Sequence, residues 1–289
     1  MSKFIVATDS GCDICIDACR EYDIRPLFME YEIGGKIYTD TMETADLKNF
    51  FKSMADGAVV HTSAVSVGMY IDFWKSLMPE NKPIVQIILG SAISCSYSNA
   101  CLALEEFKKD YPDAQIYLVD SLGASCSYGL LSIEAAEMRD RGMTAEECAA
   151  ELNKMKTGVH AYYTTSDLTY LYRGGRVKKT SMVIAHALGI MPIMNLNAPG
   201  ELKVIGKVRG RRAAYNEMLE KIRENVIDPE NQTLYVCHSD FAAEATSFGT
   251  LAKEEIGFKD VVYNYIGSII GAHTGPGLIA VFFKGKDRE

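Results

Sequence analysis

The sequence predicts an α/β protein, with a Rossmann-like N-terminal domain on a parallel sheet and a C-terminal α+β domain of two layers that holds a ligand at their junction. Three observations carry that expectation. Residues 4–7, 84–89 and 116–119 are short, nearly continuous apolar runs, as strands buried on both faces must be. Amphipathic helical stretches alternate with them, which is the βαβ pattern. A length of 289 residues favours two domains, and Gly158, where the element order changes, divides them into 1–157 and 158–289.

Along the first half, each strand ends in small polar residues: Asp9-Ser10, Gly90-Ser91 and Asp120-Ser121. In open α/β sheets ligands bind beyond the carboxyl ends of the strands, where loops and helix N-termini offer N–H groups. An insertion of about 26–79 separates the first two strands. In it, residues 27–33, the Gly34-Gly35 turn and residues 36–39 read as a hairpin. Thr44 is expected to cap a helix carrying Leu47, Phe50, Phe51 and Met54, and Ser66 another carrying Tyr70, Phe73, Trp74 and Leu77. Both stripes read as core. A helix through Lys109 follows the second strand, and helices near 124–139 and 144–156 follow the third.

The second half opens with a strand at 159–164, a short helix at Arg173-Gly174-Gly175-Arg176 and a helix at 181–188. Strands at 193–196 and 202–208 pair around the turn at 197–200. A helix with Tyr215, Met218, Leu219 and Ile222 on one face leads to a strand at 234–237, a helix through Leu251, and strands at 261–266 and 278–283.

Composition removes several functional classes. A net charge of −8 and a pI near 5.3 argue against a protein that coats nucleic acid through bulk charge. No apolar run approaches the roughly 20 residues of a membrane span, and the N-terminus reads as a strand without a signal peptide, so a cytoplasmic protein is expected. Eight cysteines are too dilute for a disulfide scaffold and read as thiols.

Five groups of residues suggest chemistry. Cys12-Asp13-Ile14-Cys15 lies where a strand gives way to a helix, the place of a redox CxxC, with ordinary thiols as the plainer reading and no metal-ligand partner at zinc spacing. Residues 123–127 resemble a nucleophile elbow around Ser125, with Ser127 where a glycine belongs, and His160, His186, His238 and His273 all follow. Ser91, Ser94 and Ser96 crowd the start of a long helix and, with His61-Thr62-Ser63, suggest a site for one anionic group such as a carboxylate or phosphate. Residues 271–277 read as a glycine-rich loop that presents His273 to a ligand. Lys203, Lys207, Arg209, Arg211 and Arg212, with Arg173 and Arg176, form a local basic feature suited to a phosphate or an acidic partner. The glycines at 200 and 206 miss the phosphate-loop spacing, and no dinucleotide fingerprint follows the first strand.

Taken together, these residues resemble the DegV family, whose members are bacterial fatty-acid-binding proteins. The likeness runs over essentially the whole chain through Asp9-Ser10 with Asp13, Thr62-Ser63, Ser91 to Ser94 with Ser96-Tyr97, Val119-Asp120-Ser121, Leu168 through Arg176, and Gly271 through Gly277. The resemblance implies a carrier, not an enzyme, that encloses one long-chain fatty acid of roughly C14–C18 length, whose buried methylenes dominate affinity. It implies a carboxylate site formed by Thr62, Ser63, Ser94, Cys95, His273 and Thr274. It also implies a separate kinase subunit that phosphorylates the carboxylate with ATP, met through Arg173, Arg176 and Arg209. Neither cofactor nor metal is implied, nucleic acid is not expected as a partner, and transient contact with a membrane is left open. In this chain Ala64-Val65 stand where Gln-Pro is common, and Gly90 and Cys95 where Ser and Gly are typical. The residues alone leave open the alternative of an enzyme, either a Ser125 hydrolase or a Cys12/Cys15 thiol catalyst.

Overall fold

The structure is a computed structural model that describes residues 3–178 and 189–289; the helix expected at 181–188, with His186, lies outside them. In chain order the first half comprises β1 (Ile5–Asp9), α1 (Ile16–Glu21), β2 (Ile24–Leu27), β3 (Glu30–Ile33), β4 (Lys36–Thr39), α2 (Leu47–Ala55), β5 (Val60–Thr62) and α3 (Val67–Leu77). It continues through β6 (Ile84–Ile88), α4 (Ser96–Asp110), β7 (Ile116–Asp120), α5 (Cys126–Asp140) and α6 (Ala145–Met155). The second half comprises β8 (Val159–Thr164), α7 (Thr169–Arg173), β9 (Ile190–Leu196), β10 (Leu202–Arg209), α8 (Arg211–Asn225) and β11 (Thr233–His238). It ends with α9 (Ala242–Ile256), β12 (Asp260–Tyr265), α10 (Ser268–Thr274) and β13 (Ile279–Lys284).

The continuous apolar runs do what their composition requires. They form a parallel sheet in the order β2-β1-β6-β7, and its pleat sends alternate residues to opposite sides. Ile5, Ala7, Ile84 and Ile88 meet Tyr70 and Trp74 of α3 and Ala103 and Phe107 of α4. Phe4, Val6, Val85 and Ile87 meet the layer that contains α5 and α6. Ser66 caps α3 as expected, its hydroxyl accepting from Met69 N at 3.2 Å. The strand order changes direction between β1 and β6, so the ligand crevice of such sheets opens beside Asp9 and Leu89.

The second sheet is mixed, in the order β10-β9-β8-β13-β11-β12. One face is closed by Met218 and Ile222 of α8 and Phe248 and Ala252 of α9. The other face, with Ala161, Tyr163, Leu196, Ala280 and Phe282, looks back at the first half. α5 lies between the two sheets, which is why it is buried nearly all round and carries no wet stripe.

Three local expectations are corrected. Residues 27–33 are not one strand: Leu27 completes the pairing of β2 with Asp9, and the Ser10 hydroxyl then accepts Met29 N at 3.0 Å and turns the chain into a separate sheet of order β4-β3-β5. Thr44 does not cap α2. Asp46 occupies that position without a side-chain bond, and Thr44 contributes only its carbonyl to Leu47 N. Residues 271–277 are not a loop throughout, because helix α10 runs to Thr274 and only the segment from Gly275 is irregular. Gly275, at φ 69°, ends the helix where any side chain would enter the Tyr170 ring.

Asp9 fills the crevice at the end of β1. Its carboxylate accepts from Tyr128 Oη at 2.6 Å, Gly11 N at 3.1 Å and Leu89 N at 3.4 Å, yet complete burial pushes its pKa up to about 6. A folded-state value above the unfolded one means that the folded chain binds more protons between pH 3.8 and about 6, so this contribution is full below the window and lost as pH rises through it. Two units correspond to about 3 kcal/mol. Asp9→Asn should therefore gain stability relative to wild type, by up to that amount, between pH 4 and pH 7 in urea unfolding; a pH-independent difference would refute the assignment.

Candidate functional site

The loop after β6 is pinned from three directions, which leaves its hydroxyls in fixed positions. Ser91 is held by Asp120, through its N at 3.0 Å and its Oγ at 2.6 Å. The guanidinium of Arg176 donates to the Ile93 carbonyl from Nε at 3.3 Å and Nη2 at 3.1 Å. Ser96 Oγ accepts Val65 N at 3.2 Å and lies 2.9 Å from Ser94 Oγ, which in turn accepts Ser96 N at 3.1 Å. Ser91 and Ser96 are thus accounted for by local structure, and Ser94 is the hydroxyl of the three that faces a cavity.

A second relay comes from the other side. Thr62 on β5 and His273 on α10 meet at 2.8 Å through Thr62 Oγ1 and His273 Nε2. Burial, reinforced by the nearby Arg176 charge, pushes the imidazole pKa down to about 4, so the ring is neutral at physiological pH. With the ring proton on Nε2, the imidazole donates to Thr62 and frees the threonine hydroxyl proton for another acceptor. In the same way, Val65 N–H donates to Ser96, and with the Ser96 hydroxyl donating to Ser94 the Ser94 proton is left for another acceptor. His273 Nδ1 has no partner, and Gly174 lies so close to it that a β-carbon there would overlap the ring.

Both relays end on one cavity of about 170 Å³. Thr62, Ser63, Ser94, Cys95, His273, Thr274 and Arg176 all line it, with Ser63 and Cys95 exposed and Thr274 buried. Thr274 Oγ1 has no hydrogen-bond partner. Ala124, Leu202, Ile270 and Thr274 also line a second, almost wholly apolar cavity of about 60 Å³, whose other walls include Ala161, Tyr163, Leu196, Leu278, Ala280 and Phe282. A cavity that combines hydroxyls and one cation with apolar walls thus adjoins a smaller, apolar one. Such a pairing of polar groups with apolar walls has the chemistry to suit an amphiphile with an anionic head.

The remaining expected residues lie elsewhere. Arg173, at the end of α7, and Arg209, on the edge strand β10, are exposed and do not line either cavity. Lys203, Lys207 and Arg209 alternate outward along β10, but Glu201 pairs with Lys203 at 2.8 Å and Glu244 with Arg211 at 3.4 Å, so part of the basic run is neutralised. Ser125 does sit on a strained turn, at φ 56° and ψ −144°, but its hydroxyl donates to Asp13 at 2.5 Å. His160 bonds the Lys286 carbonyl, His238 accepts Phe241 N and His273 meets Thr62, so no Ser–His relay forms among the described residues. Cys12 is buried and interacts with Cys19, and its thiol is pushed up by burial. The inner cavity residues from β8, β9 and β13 are the ones that the sequence pattern did not reveal; their only signal is alternation along strands whose inner face could not be assigned.

Comparison with known proteins is consistent along the whole chain. The family model described as an uncharacterised protein of the DegV family matches residues 3–286. A DegV domain-containing protein of Clostridium perfringens is 31% identical over 290 residues, covering 100% of both chains. A DegV lipid binding protein of known structure from Thermotoga maritima is 27% identical with a TM-score of 0.86, over 99% of this chain and 100% of its own. A second Thermotoga maritima structure, which reveals a fatty acid binding function for that protein, is 28% identical with a TM-score of 0.85 at the same coverage.

The neutral imidazole is directly testable. The His273 ring, followed by NMR in the protein without added lipid, should titrate near pH 4, well below its ordinary 6.5. Because the folded value is the lower one, stability tied to this group is lost as pH falls from 6.5 through about 4. A midpoint at 6 or above would contradict the buried, cation-facing environment.

Proposed function

The chain belongs to the DegV family, and from that premise we propose that it binds one long-chain fatty acid, with the tail in the apolar cavity and the carboxylate at the polar mouth. The observation that carries this reading is that the two cavities share Ala124, Leu202, Ile270 and Thr274 as a common wall. Thr62 and Ser94 offer the carboxylate the two freed hydroxyl protons, Thr274 a third hydroxyl, and Arg176 a compensating charge, while Ser63 and Cys95 border the opening.

Magnitudes divide the work between the two ends. Burying about 14 methylenes at roughly 0.8 kcal/mol each offers on the order of 11 kcal/mol, whereas a hydrogen bond to a charged group contributes about 1.5–3. The inner cavity is smaller than the ~300 Å³ usual for a ligand pocket, so side chains along the partition must shift as the tail enters. Each off-rotamer adjustment costs about 0.5–1.5 kcal/mol, well within what the tail supplies. The tail therefore sets affinity and the hydroxyls set orientation.

The chain acts as a carrier, and the chemistry belongs to a partner: a separate kinase subunit that phosphorylates the presented carboxylate with ATP. In favour of this, Arg176 borders both the mouth and an adjoining cleft with Lys178 and the Lys203–Glu201 pair, while Arg173 and Arg209 are exposed. No described helix is long and apolar enough to cross a membrane; loading from lipid then requires transient contact with a bilayer surface.

Native mass spectrometry of the purified protein should find one fatty acid per chain, and a chain that stays empty when offered oleate would overturn the proposal. Joint Thr62→Ala and Ser94→Ala substitution should weaken oleate binding by on the order of 10²-fold while leaving the folded state intact. In Ala161→Leu, which fills the inner cavity, C18 acids should lose more affinity than C14 acids; equal losses would place the tail elsewhere.

A further inference from the structure

Gly174 closes α7 in the ordinary right-handed region, at φ −70° and ψ −8°, where any residue is tolerated. Its backbone therefore gives no reason for a glycine, unlike that of Gly175 at φ 76°. The reason lies across the gap to α10. A β-carbon at 174 would overlap His273 Nδ1 and come within 3.2 Å of Cε1 and 3.3 Å of Cγ, so the α-hydrogen in that place points at Nδ1. α7 is fixed on both sides of the glycine. The Tyr170 ring packs against Gly275 and its hydroxyl donates to the Met54 carbonyl at 3.3 Å, while Arg176 donates to the carbonyls of Gly174 and Ile93. Any overlap at 174 must then be relieved by the imidazole. The same contact decides where the ring carries its proton. Nδ1 has no hydrogen-bond partner, so a proton there would be a buried donor aimed at carbon with its desolvation unrecovered, whereas a lone pair against the α-hydrogen costs less. The proton stays on Nε2, Thr62 Oγ1 accepts it at 2.8 Å, and the threonine turns its own proton toward the cavity.

We propose that Gly174 is a specificity-determining residue of the mouth: it seats the His273 ring in its Nε2-protonated form and, through Thr62, makes the site favour a head group that only accepts hydrogen bonds, a carboxylate, over one that also donates, an alcohol. Gly174 touches the ring and not the ligand, so it acts by positioning. With a side chain at 174 the ring turns, Nε2 leaves Thr62, and the threonine hydroxyl is no longer aimed. A carboxylate, which can only accept, loses a donor held ready for it. An alcohol donates or accepts as the threonine then requires and loses little. The effect on the ligand rests on the fatty-acid reading above; the effect on the ring does not.

Gly174→Ala tests both parts on the full, delipidated chain, with nitrogen NMR of the imidazole as one readout and binding of oleate and oleyl alcohol as the other. Wild type should carry the His273 proton on Nε2, and Gly174→Ala should lose that signature. Oleate affinity should fall about tenfold in Gly174→Ala, while that of oleyl alcohol changes by less than about twofold. In a His273→Ala background, where no ring is left to overlap, Gly174→Ala should change oleate affinity by less than about twofold. A wild-type ring protonated on Nδ1, an equal loss for both ligands, or a similar oleate loss without His273 would each overturn the proposal. If Gly174→Ala alone does not fold, the double variant decides: it folds where the ring is the obstacle, and failure of both to fold overturns the proposal. If oleate does not bind wild type, the fatty-acid reading fails, and the imidazole spectra still decide whether Gly174 sets the ring.

Discussion

The carboxyl of Asp13 holds together the pieces of backbone from which the pocket is made. One oxygen accepts the Ser125 hydroxyl at the start of α5, and the other accepts Gly267 N, at 2.9 Å, at the start of α10. Its own carbonyl accepts the Cys126 thiol at 3.3 Å. A single buried acid thus ties the loop after β1 to the N-termini of two helices, whose dipoles favour negative charge there. Burial nevertheless pushes its pKa well up, because desolvation outweighs the two donors. The cost is accepted in exchange for position: α5 brings Ala124 and Ser125 to the inner cavity, and α10 carries His273 and Thr274 to its mouth.

From that anchor the division between mouth and inner cavity follows. Polar groups inside a protein are costly unless partnered, and here Thr62 and Ser94 are each supported by a neighbour, so that a donating His273 and a donating Ser96 would leave each a proton for a ligand. Thr62 receives its support from α10 and Ser94 from the link between β5 and α3, so the two hydroxyls belong to different layers yet converge. The second sheet lines the inner cavity with Ala161, Tyr163, Leu196, Ala280 and Phe282, and the Tyr163 hydroxyl is directed to the Asn195 carbonyl at 3.5 Å. In the proposed reading, head and tail are therefore met by different parts of the chain, and the ligand bridges them.

Much of this was legible in the sequence because it depends on local pattern. The buried strands of the parallel sheet, the Ser66 cap, the Thr144-led helix and the β9–β10 hairpin follow from apolar runs, capping residues and turns. The residues around the mouth were found through clustered hydroxyls and a family likeness. What escaped has a common cause: it depends on contacts across long sequence separations. The Ser10 hydroxyl redirects Met29, the short strand β5 exists only by pairing with β3, and helix α10 extends through Gly271 because Phe50 and Phe51 pack against it. The inner cavity was invisible for the same reason, since which face of β8 and β13 is covered by α8 and α9 cannot be told from alternation alone.

The central claim is that one amphiphile spans both cavities in a fixed direction. A crystal of the protein with a long-chain fatty acid brominated at its terminal carbon would test it most directly, since anomalous scattering locates the bromine without ambiguity. The account predicts bromine between Ala161, Tyr163 and Phe282, with the carboxylate against Thr62 and Ser94. Bromine at the mouth beside Arg176, or on the protein surface with the inner cavity unfilled, would contradict it.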